Sequence, residues 1–165
     1  MLQTLETTDL ETLLKEKFGG NILSVEKLYD ISVATIKLDV IKQAIKFLQD
    51  SGFTFLTSCH GMHFPDAAEK FGMVYHLHDL QKNLRIRLKT FTNHEPPTFP
   101  TLTDIYQSAN WMERESYDFF GFKFPGHPDL RRILNVDDME GFPMRKEFPL
   151  EDQARYDKDD KMFGR

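Results

Sequence analysis

A stretch near the C-terminal end, residues 111–150, mixes charged, aromatic and backbone-restricting residues more densely than an ordinary hydrophobic core. Proline removes backbone hydrogen-bond donors and glycine permits tight bends, so regular structure should largely end beyond Gly121. Charges set among large apolar rings must be paired wherever the stretch is buried. Aromatic residues and arginine are also enriched at protein interfaces. The stretch therefore predicts a partner-binding surface.

The candidate interface residues are the ionic and aromatic side chains of this stretch: Glu113, Arg114, Glu115, Asp118, Phe120, His127, Asp129, Arg131, Arg132, Arg145 and Lys146. On a helix, Glu113 and Glu115 would point about 200° apart, because each residue turns ~100°. They cannot converge on one substrate atom as general acid and base. Arg114 and Asp118 are four residues apart and share a side, which suits an ion pair that fixes the helix or docks a partner. A structural or interface role is therefore favoured over catalysis.

A group of histidines beside the single cysteine raises the alternative of a metal site. His76 and His78 alternate along a predicted strand and share a face, where His60 or Cys59 from a neighbouring strand could join them. The spacing lacks the helix-borne or knuckle-borne pattern of a zinc motif. Solvated or hydrogen-bonded histidines are therefore favoured, and no metal is expected.

The segment GHPDLRRIL offers His127 as a base, with Arg131 and Arg132 as an anion clamp. Pro128 suits the first position of a helical turn, and Asp129 suits its positive end. A capped turn that presents the two arginines to a protein carboxylate explains the same residues and is favoured. No glycine-rich loop has the spacing of a dinucleotide or phosphate-binding fingerprint.

Apolar periodicity upstream predicts an α+β fold, in which helices cover one face of a mixed or antiparallel sheet that is followed by an extended Pro/Gly-rich C-terminal arm. The predicted helices are residues 10–18, residues 40–48 with Asp39 as N-cap, and residues 103–120. The predicted strands, the last with a basic polar side, are residues 22–29, 31–38, 53–64, 72–80 and 84–91. The predicted division is an α+β domain at 1–100, a helix with a partner-binding arm at 101–150 and a polar tail at 151–165.

Composition narrows the function classes. A net charge of −5 gives no reason to expect nucleic-acid binding. One cysteine cannot form an intrachain disulfide or an all-cysteine iron-sulfur site, and it fits a reducing compartment. No apolar run approaches the ~20 residues that span a bilayer, and the N-terminal residues lack signal- and transit-peptide character. Membrane contact is therefore expected only through partner subunits.

Residues 113–134 read ERESYDFFGFKFPGHPDLRRIL and residues 141–150 read GFPMRKEFPL. This long pattern closely resembles the C-subunit family of the proton-translocating NADH:quinone oxidoreductase, respiratory complex I, also called the 30 kDa subunit family. Glu147 stands where the family usually has aspartate, which keeps the charge. A looser resemblance through FLTSCHGMHFPD, FGMVYHLHDL and NLRIRLKTF extends the match to residues 53–150.

The resemblance implies a cofactor-free scaffold subunit of the hydrophilic arm, with no catalysis by this chain alone and with FMN and iron-sulfur clusters in partner subunits. It supports electron transfer from NADH to quinone coupled to proton translocation. It implies that the C-terminal arm wraps the D subunit of complex I and that the sheet lies near the B and I subunits, peripherally on the cytoplasmic side of the inner (plasma) membrane. Two alternatives stay open: the equivalent subunit of a membrane-bound hydrogenase or of a ferredoxin- or F420-dependent dehydrogenase, and a free-standing carboxylate or histidine enzyme.

Overall fold

A computed structural model of the chain describes residues 7–29 and 31–149, with side chains described from residue 12 onward. Within these ranges the helices are α1 (Thr7–Phe18), α2 (Leu38–Asp50) and α3 (Ala109–Phe120). The strands are β1 (Ile22–Leu28), β2 (Ile31–Ile36), β3 (Phe55–His63), β4 (Phe71–Asp79) and β5 (Leu84–Thr92). The predicted α+β class is confirmed. The polar tail predicted at 151–165 lies outside the described residues.

The strands form one mixed sheet in the order β1-β2-β5-β4-β3. Only the β2–β5 pair is parallel among these strands, and the chain crosses between sheet positions through α2 and the β3–β4 hairpin. The register sets Cys59 beside Tyr75 and Tyr75 beside Leu88. Because side chains on paired positions share a face, these residues lie on one side of the sheet, which is the side that faces the core.

Apolar and basic side chains alternate along β5, which gives the sheet one face that is covered and one that is not. Ile86 and Leu88 are buried in the core cluster, whereas Arg85, Arg87 and Lys89 project from the other face. The core face packs against an apolar stripe of α2 and against Leu14 of α1. The prediction that helices cover one face of the sheet is confirmed.

Gly61 on β3 lets the end of α3 approach the sheet. A β-carbon at this position would lie 2.8 Å from the Phe122 ring and 2.9 Å from the Phe120 ring. A contact under 3 Å forces a neighbouring group to move, so only glycine fits between strand and rings. No helix in the described ranges is long and apolar enough to cross a membrane.

Two predicted helix starts are wrong. Helix α2 begins after Lys37, which makes no side-chain capping bond, and Asp39 lies in the first turn instead of at the N-cap. Helix α3 begins at Ala109 instead of residue 103, because residues 102–108 form separate turns. The Leu102 N–H and the Thr101 hydroxyl donate to the Glu113 carboxylate, a long-range contact that fixes this connection outside the helix.

Candidate partner-binding surface

Asp118, near the end of α3, organises the residues that follow the helix. Its Oδ2 accepts hydrogen bonds from the backbone N–H groups of Ile133, Leu134 and Asn135, at 2.8–3.1 Å. Its Oδ1 accepts from Arg132 Nη1 at 2.8 Å, and the carboxylate is fully buried. Burial alone would raise the pKa of this carboxyl, but the backbone donors and the Arg132 guanidinium outweigh burial and hold the pKa well below its usual range. Asp118 is therefore a charged clamp on the arm.

Arg114 completes the clamp one helical turn earlier. Its Nε donates to the Arg131 carbonyl at 3.2 Å and its Nη2 to the Arg132 carbonyl at 2.9 Å. The predicted ion pair between Arg114 and Asp118 is wrong, because Asp118 pairs with Arg132 instead. The two side chains do share one side of α3, and there they hold the carbonyls and the N–H groups of the same arm segment.

Arg132 turns inward and joins three parts of the arm. Besides Asp118, it donates from Nη2 to the Met139 carbonyl at 2.7 Å and to the Gly141 carbonyl at 3.1 Å. The predicted helical turn after Pro128 is wrong, because residues 129–135 have no helical turn and the N–H groups of residues 133–135 go to Asp118. Arg131 instead pairs at the surface with Asp129, at 2.9 Å. The two arginines therefore do not form one anion clamp.

The last described part of the arm lies against the C-terminal end of α3 and the neighbouring strands β3 and β4. Arg145 Nε donates to the Phe120 carbonyl at 2.7 Å, and its guanidinium lies 5.0 Å from the Phe71 ring centroid. The Lys146 N–H donates to His63 Nδ1 at 3.0 Å, while the Lys146 side chain is exposed. As predicted, residues 122–149 form turns and bends, and within the described ranges they make one isolated bridge, between Thr98 and Lys123.

Two further candidate interface residues, Glu113 and Phe120, are buried inside the chain. The Glu113 carboxylate accepts from the Leu102 N–H at 2.6 Å and from the Thr101 hydroxyl at 2.7 Å, and the residue is fully buried. Burial raises its pKa to about 7, against the lowering effect of these two hydrogen bonds. The Phe120 ring is buried 5.3 Å from the Phe122 ring centroid. In this conformation neither side chain is free to contact a partner.

The remaining candidates lie nearer the surface. Glu115, Asp129 and Arg131 are exposed, and Glu115 lies on the side of α3 away from the buried Glu113. His127 is half-buried, with Nε2 3.2 Å from the Asn110 carbonyl and Nδ1 accepting the Asp129 N–H at 3.0 Å. These two bonds fit a neutral ring with its proton on Nε2. Contact of any of the eleven candidates with a partner stays a prediction.

An exposed set of apolar side chains, named here the arm patch, was not among the predicted site residues. Residues near the clamp hold it: Arg114 lies 5.6 Å from the Trp111 ring, and the Met144 N–H donates to the Phe119 carbonyl. Large apolar side chains that stay exposed within one segment are candidates for contact with a partner. The sequence signal was their position within the aromatic and arginine-rich stretch. The arm patch consists of Trp111, Ile133, Leu134, Val136 and Met144.

The histidines form a second polar site on the uncovered face of the sheet. His76 and His78 share that face as predicted, but Cys59 lies on the core face and cannot join them. His76 Nε2 accepts from Arg87 Nε at 2.6 Å, and its Nδ1 lies 2.7 Å from Ser58 Oγ. Both ring nitrogens are therefore occupied. Among the described residues no group of three or more His, Cys, Asp or Glu could hold a metal ion.

Comparison with known proteins relates the whole arrangement to one family. Residues 34–154 match the family described as "Respiratory-chain NADH dehydrogenase, 30 Kd subunit". The chain is 37% identical over 158 residues to the C subunit of NADH-quinone oxidoreductase from Sinorhizobium medicae, covering 93% of this chain and 78% of the relative. It is 41% identical over 155 residues to the C subunit of NADH-quinone oxidoreductase from Rhizobium rhizogenes, covering 90% and 76%.

Solved structures agree on the fold. A trypsin-resistant fragment of Nqo5 superposes with a TM-score of 0.65 at 32% identity, covering 73% of this chain and 98% of the fragment. A chain of an archaeal membrane-bound sulfane sulfur reductase complex superposes with a TM-score of 0.75 at 23% identity, covering 92% and 95%, which is a likeness of fold alone. The chain, with its α3 signature and clamped arm, therefore belongs to the 30 kDa subunit family of respiratory-chain NADH dehydrogenase, the C-subunit family of NADH-quinone oxidoreductase.

Proposed function

We propose that this chain is a scaffold subunit of an NADH-quinone oxidoreductase that performs no chemistry itself and docks through the arm patch. Two side chains of α3 fix the arm. Arg114 donates to backbone carbonyls of the arm, and Asp118 accepts from backbone N–H groups of the arm. This rigid presentation of Leu134 and its apolar neighbours is the observation that carries the proposal. A preordered apolar surface binds with a smaller entropy cost than a mobile one.

The proposed partner at the arm patch is the D subunit, with the B and I subunits nearby, and FMN and the iron-sulfur clusters reside in other subunits. Two observations support this proposal: the family membership, and the intrachain hydrogen bonds made by the ionic residues of α3. The two buried carboxylates of α3, Glu113 and Asp118, make their hydrogen bonds inside the chain. The mechanism is positional: the subunit holds its neighbours so that the distance from cluster to quinone stays fixed while electrons pass and protons are translocated.

The location follows from the same proposal. The chain sits on the cytoplasmic side of the inner (plasma) membrane and reaches the membrane only through its partner subunits. The exposed apolar residues of the arm patch lie on irregular segments, apart from Trp111 on α3, and large apolar and aromatic side chains of this kind are enriched at the centre of protein interfaces.

The test is a tagged pull-down from gently solubilised membranes, assayed for co-purifying subunits and NADH-dependent quinone reduction. Leu134→Asp should lower the recovery of partner subunits at least tenfold, because it puts a charge where about 2 kcal/mol of leucine burial would otherwise contribute. Leu80→Asp is the matched control, since Leu80 is 60% exposed and Leu134 is 66% exposed. Leu80 follows β4 at the end remote from the arm.

Recovery of the flavin- and cluster-bearing subunits with wild-type chain, and their loss with Leu134→Asp alone, supports the proposal. Hydrogenase-like subunits in place of the flavin subunit would assign the chain to a related assembly. Recovery of the chain by itself, or equal recovery with both variants, would overturn docking through the arm patch.

A further inference from the structure

The face of the sheet turned away from the helices carries a row of positive charges on β5. The register places Arg85 beside His78, and Arg87 beside His76, on the side opposite to the core and the arm. Over residues 12–29 and 31–149, none of the three cations of β5 has a carboxylate within 4 Å. We name this the basic sheet face, made of Ser58, His60, His76, His78, Arg85, Arg87 and Lys89.

Arg87, at the centre of this face, is held in place by neutral neighbours. Its Nε donates to His76 Nε2 at 2.6 Å, and His76 Nδ1 in turn lies 2.7 Å from Ser58 Oγ. These two hydrogen bonds fix the Arg87 guanidinium. The terminal amino groups of Arg87 have no acceptor in the described part of the protein. An arginine that is already ordered loses little conformational entropy when it binds a carboxylate.

Two of the histidines on this face, His60 and His76, add no charge at neutral pH. Burial, followed by Arg87, His60 and Lys89, lowers the pKa of His76 to about 4, and burial also lowers the pKa of His60. In the described part of the chain, the carboxylates facing this region are Glu26, beyond β2 on the same face, and Glu115 near His60. The centre of the face is therefore positive although the whole chain carries a net charge of −5.

The shape and spacing of the face suit an extended acidic segment. A cavity of about 310 Å³ is lined on this face by Ile31, Thr57, His76, His78, Arg85 and Arg87. The β5 cations alternate along the strand, so neighbouring charges are spaced by about 7 Å, which is the repeat of alternate side chains on an extended chain. Phe55, paired with His78 and 47% exposed, offers an apolar contact at the edge of the cavity.

We propose that the basic sheet face binds an extended, acidic polypeptide segment of a neighbouring subunit, as a second docking surface separate from the arm patch. The inference rests on the proposed function, since it requires the chain to work inside an assembly. Planar guanidinium groups pair bidentately with carboxylates, and the exposed Phe55 ring favours a protein segment over a lipid headgroup.

The first experiment places the photo-crosslinking amino acid p-benzoylphenylalanine at Phe55 in the intact complex, with Trp111 as the reference position in the arm patch. The expected adduct from Phe55 is a peptide of a partner subunit that carries at least two acidic residues. An adduct to lipid, or to a peptide without acidic residues, would overturn the inference. Cross-linking from Trp111 but not from Phe55 would overturn it and leave the proposed function standing, whereas cross-linking from neither position, with no co-purifying subunits, would defeat both.

The second experiment exchanges the charges. The double variant Arg85→Glu, Lys89→Glu should lower incorporation into the complex at least tenfold, and replacing the cross-linked acidic residues of the partner by lysine should restore most of it. Lys27→Glu with Lys37→Glu is the matched control, because both lysines are exposed and the net charge changes equally. Equal incorporation of the two double variants, or no rescue by the partner's lysines, would show that the face is not an acidic-segment site.

Discussion

At the scale of single residues, two buried carboxylates on α3 have opposite protonation behaviour for a visible reason. Burial by itself would raise the pKa of both Glu113 and Asp118, but only the pKa of Glu113 is raised in the folded chain. Asp118 receives three backbone N–H groups and a guanidinium, so its charged form is favoured in spite of burial. Glu113 receives one N–H and one hydroxyl, which do not offset burial. The number and charge of the donors decide the outcome.

Asp118→Asn should release the arm. The amide removes the charge that Arg132 pairs with and offers only one acceptor oxygen to the backbone N–H groups, a loss of about 3 kcal/mol for a buried, charge-assisted set. Trypsin cleavage after Arg131 and Arg132 should then be about 100-fold faster, because it samples the opened arm. Asp129→Asn, which loses only the surface pair with Arg131, should change cleavage less than threefold. Equal cleavage of the two variants would contradict the clamp.

Glu113→Gln should remove a pH dependence of stability. Since the folded-state pKa of Glu113 is raised from 4.5 to about 7, its proton stabilises the folded chain fully below pH 4.5. This contribution is lost as pH rises through about 7, a change on the order of 3 kcal/mol for a fully buried group. Urea unfolding from pH 4.5 to 8 should therefore show a smaller decline for Glu113→Gln than for wild type. Glu115→Gln, exposed on the same helix, should follow wild type, and parallel curves for all three would refute the assignment.

At the scale of elements, the end of α3 and the arm meet at Gly121. This residue has φ +75° and ends the helix in the left-handed region, and a β-carbon here would collide with the Phe142 ring. Gly126 has φ +88°, but its nearest neighbour to such a β-carbon is Thr101 Cγ2 at 3.5 Å. The two glycines therefore share backbone strain on substitution and differ in the contact with the arm.

Gly121→Ala should destabilise the chain more than Gly126→Ala. Both variants carry a left-handed alanine at a cost of about 1 kcal/mol, and Gly121→Ala adds about 1–3 kcal/mol because the Phe142 ring must move. Denaturant unfolding gives the difference between the two variants, and tryptic cleavage of the arm reports whether Phe142 has left its place. Equal destabilisation would show that Phe142 adjusts freely.

The periodicity of apolar residues correctly predicted strands and helices whose position depends on burying one face. It failed where the backbone is held by a side chain distant in the sequence. The alternation of β5 and the apolar stripe of α2 are local patterns, so strand and helix were confirmed with boundaries shifted by a few residues. The start of α3 and the conformation after Pro128 depend on Glu113 and Asp118, which take backbone N–H groups 11 and 15–17 residues away along the chain. No local propensity encodes such a contact. The arginine and aromatic content marked the arm stretch, but which arginine faces inward was set by Asp118.

At the scale of the whole molecule, the two proposed docking surfaces lie on opposite sides of the sheet and differ in physical character. The arm patch is apolar and held by α3, whereas the basic sheet face is charged and open. Apolar burial is insensitive to moderate salt, and charge pairing at an accessible face is screened by it. A protein with both surfaces would be bound between two neighbours by forces that respond to different conditions.

The effects of disrupting both surfaces should therefore multiply. Substitutions more than 7–10 Å apart without shared partners are additive in free energy within about 0.5 kcal/mol, roughly twofold in a rate. We expect the dissociation rate of the chain from the solubilised complex in Leu134→Asp combined with Arg85→Glu and Lys89→Glu to equal the product of the separate increases, within twofold. Raising KCl from about 0.15 to 0.5 M should shrink the effect of the charge reversals and leave that of Leu134→Asp unchanged, because screening weakens only the charged contact. A combined effect no larger than the greater single effect would mean that one partner segment spans both surfaces.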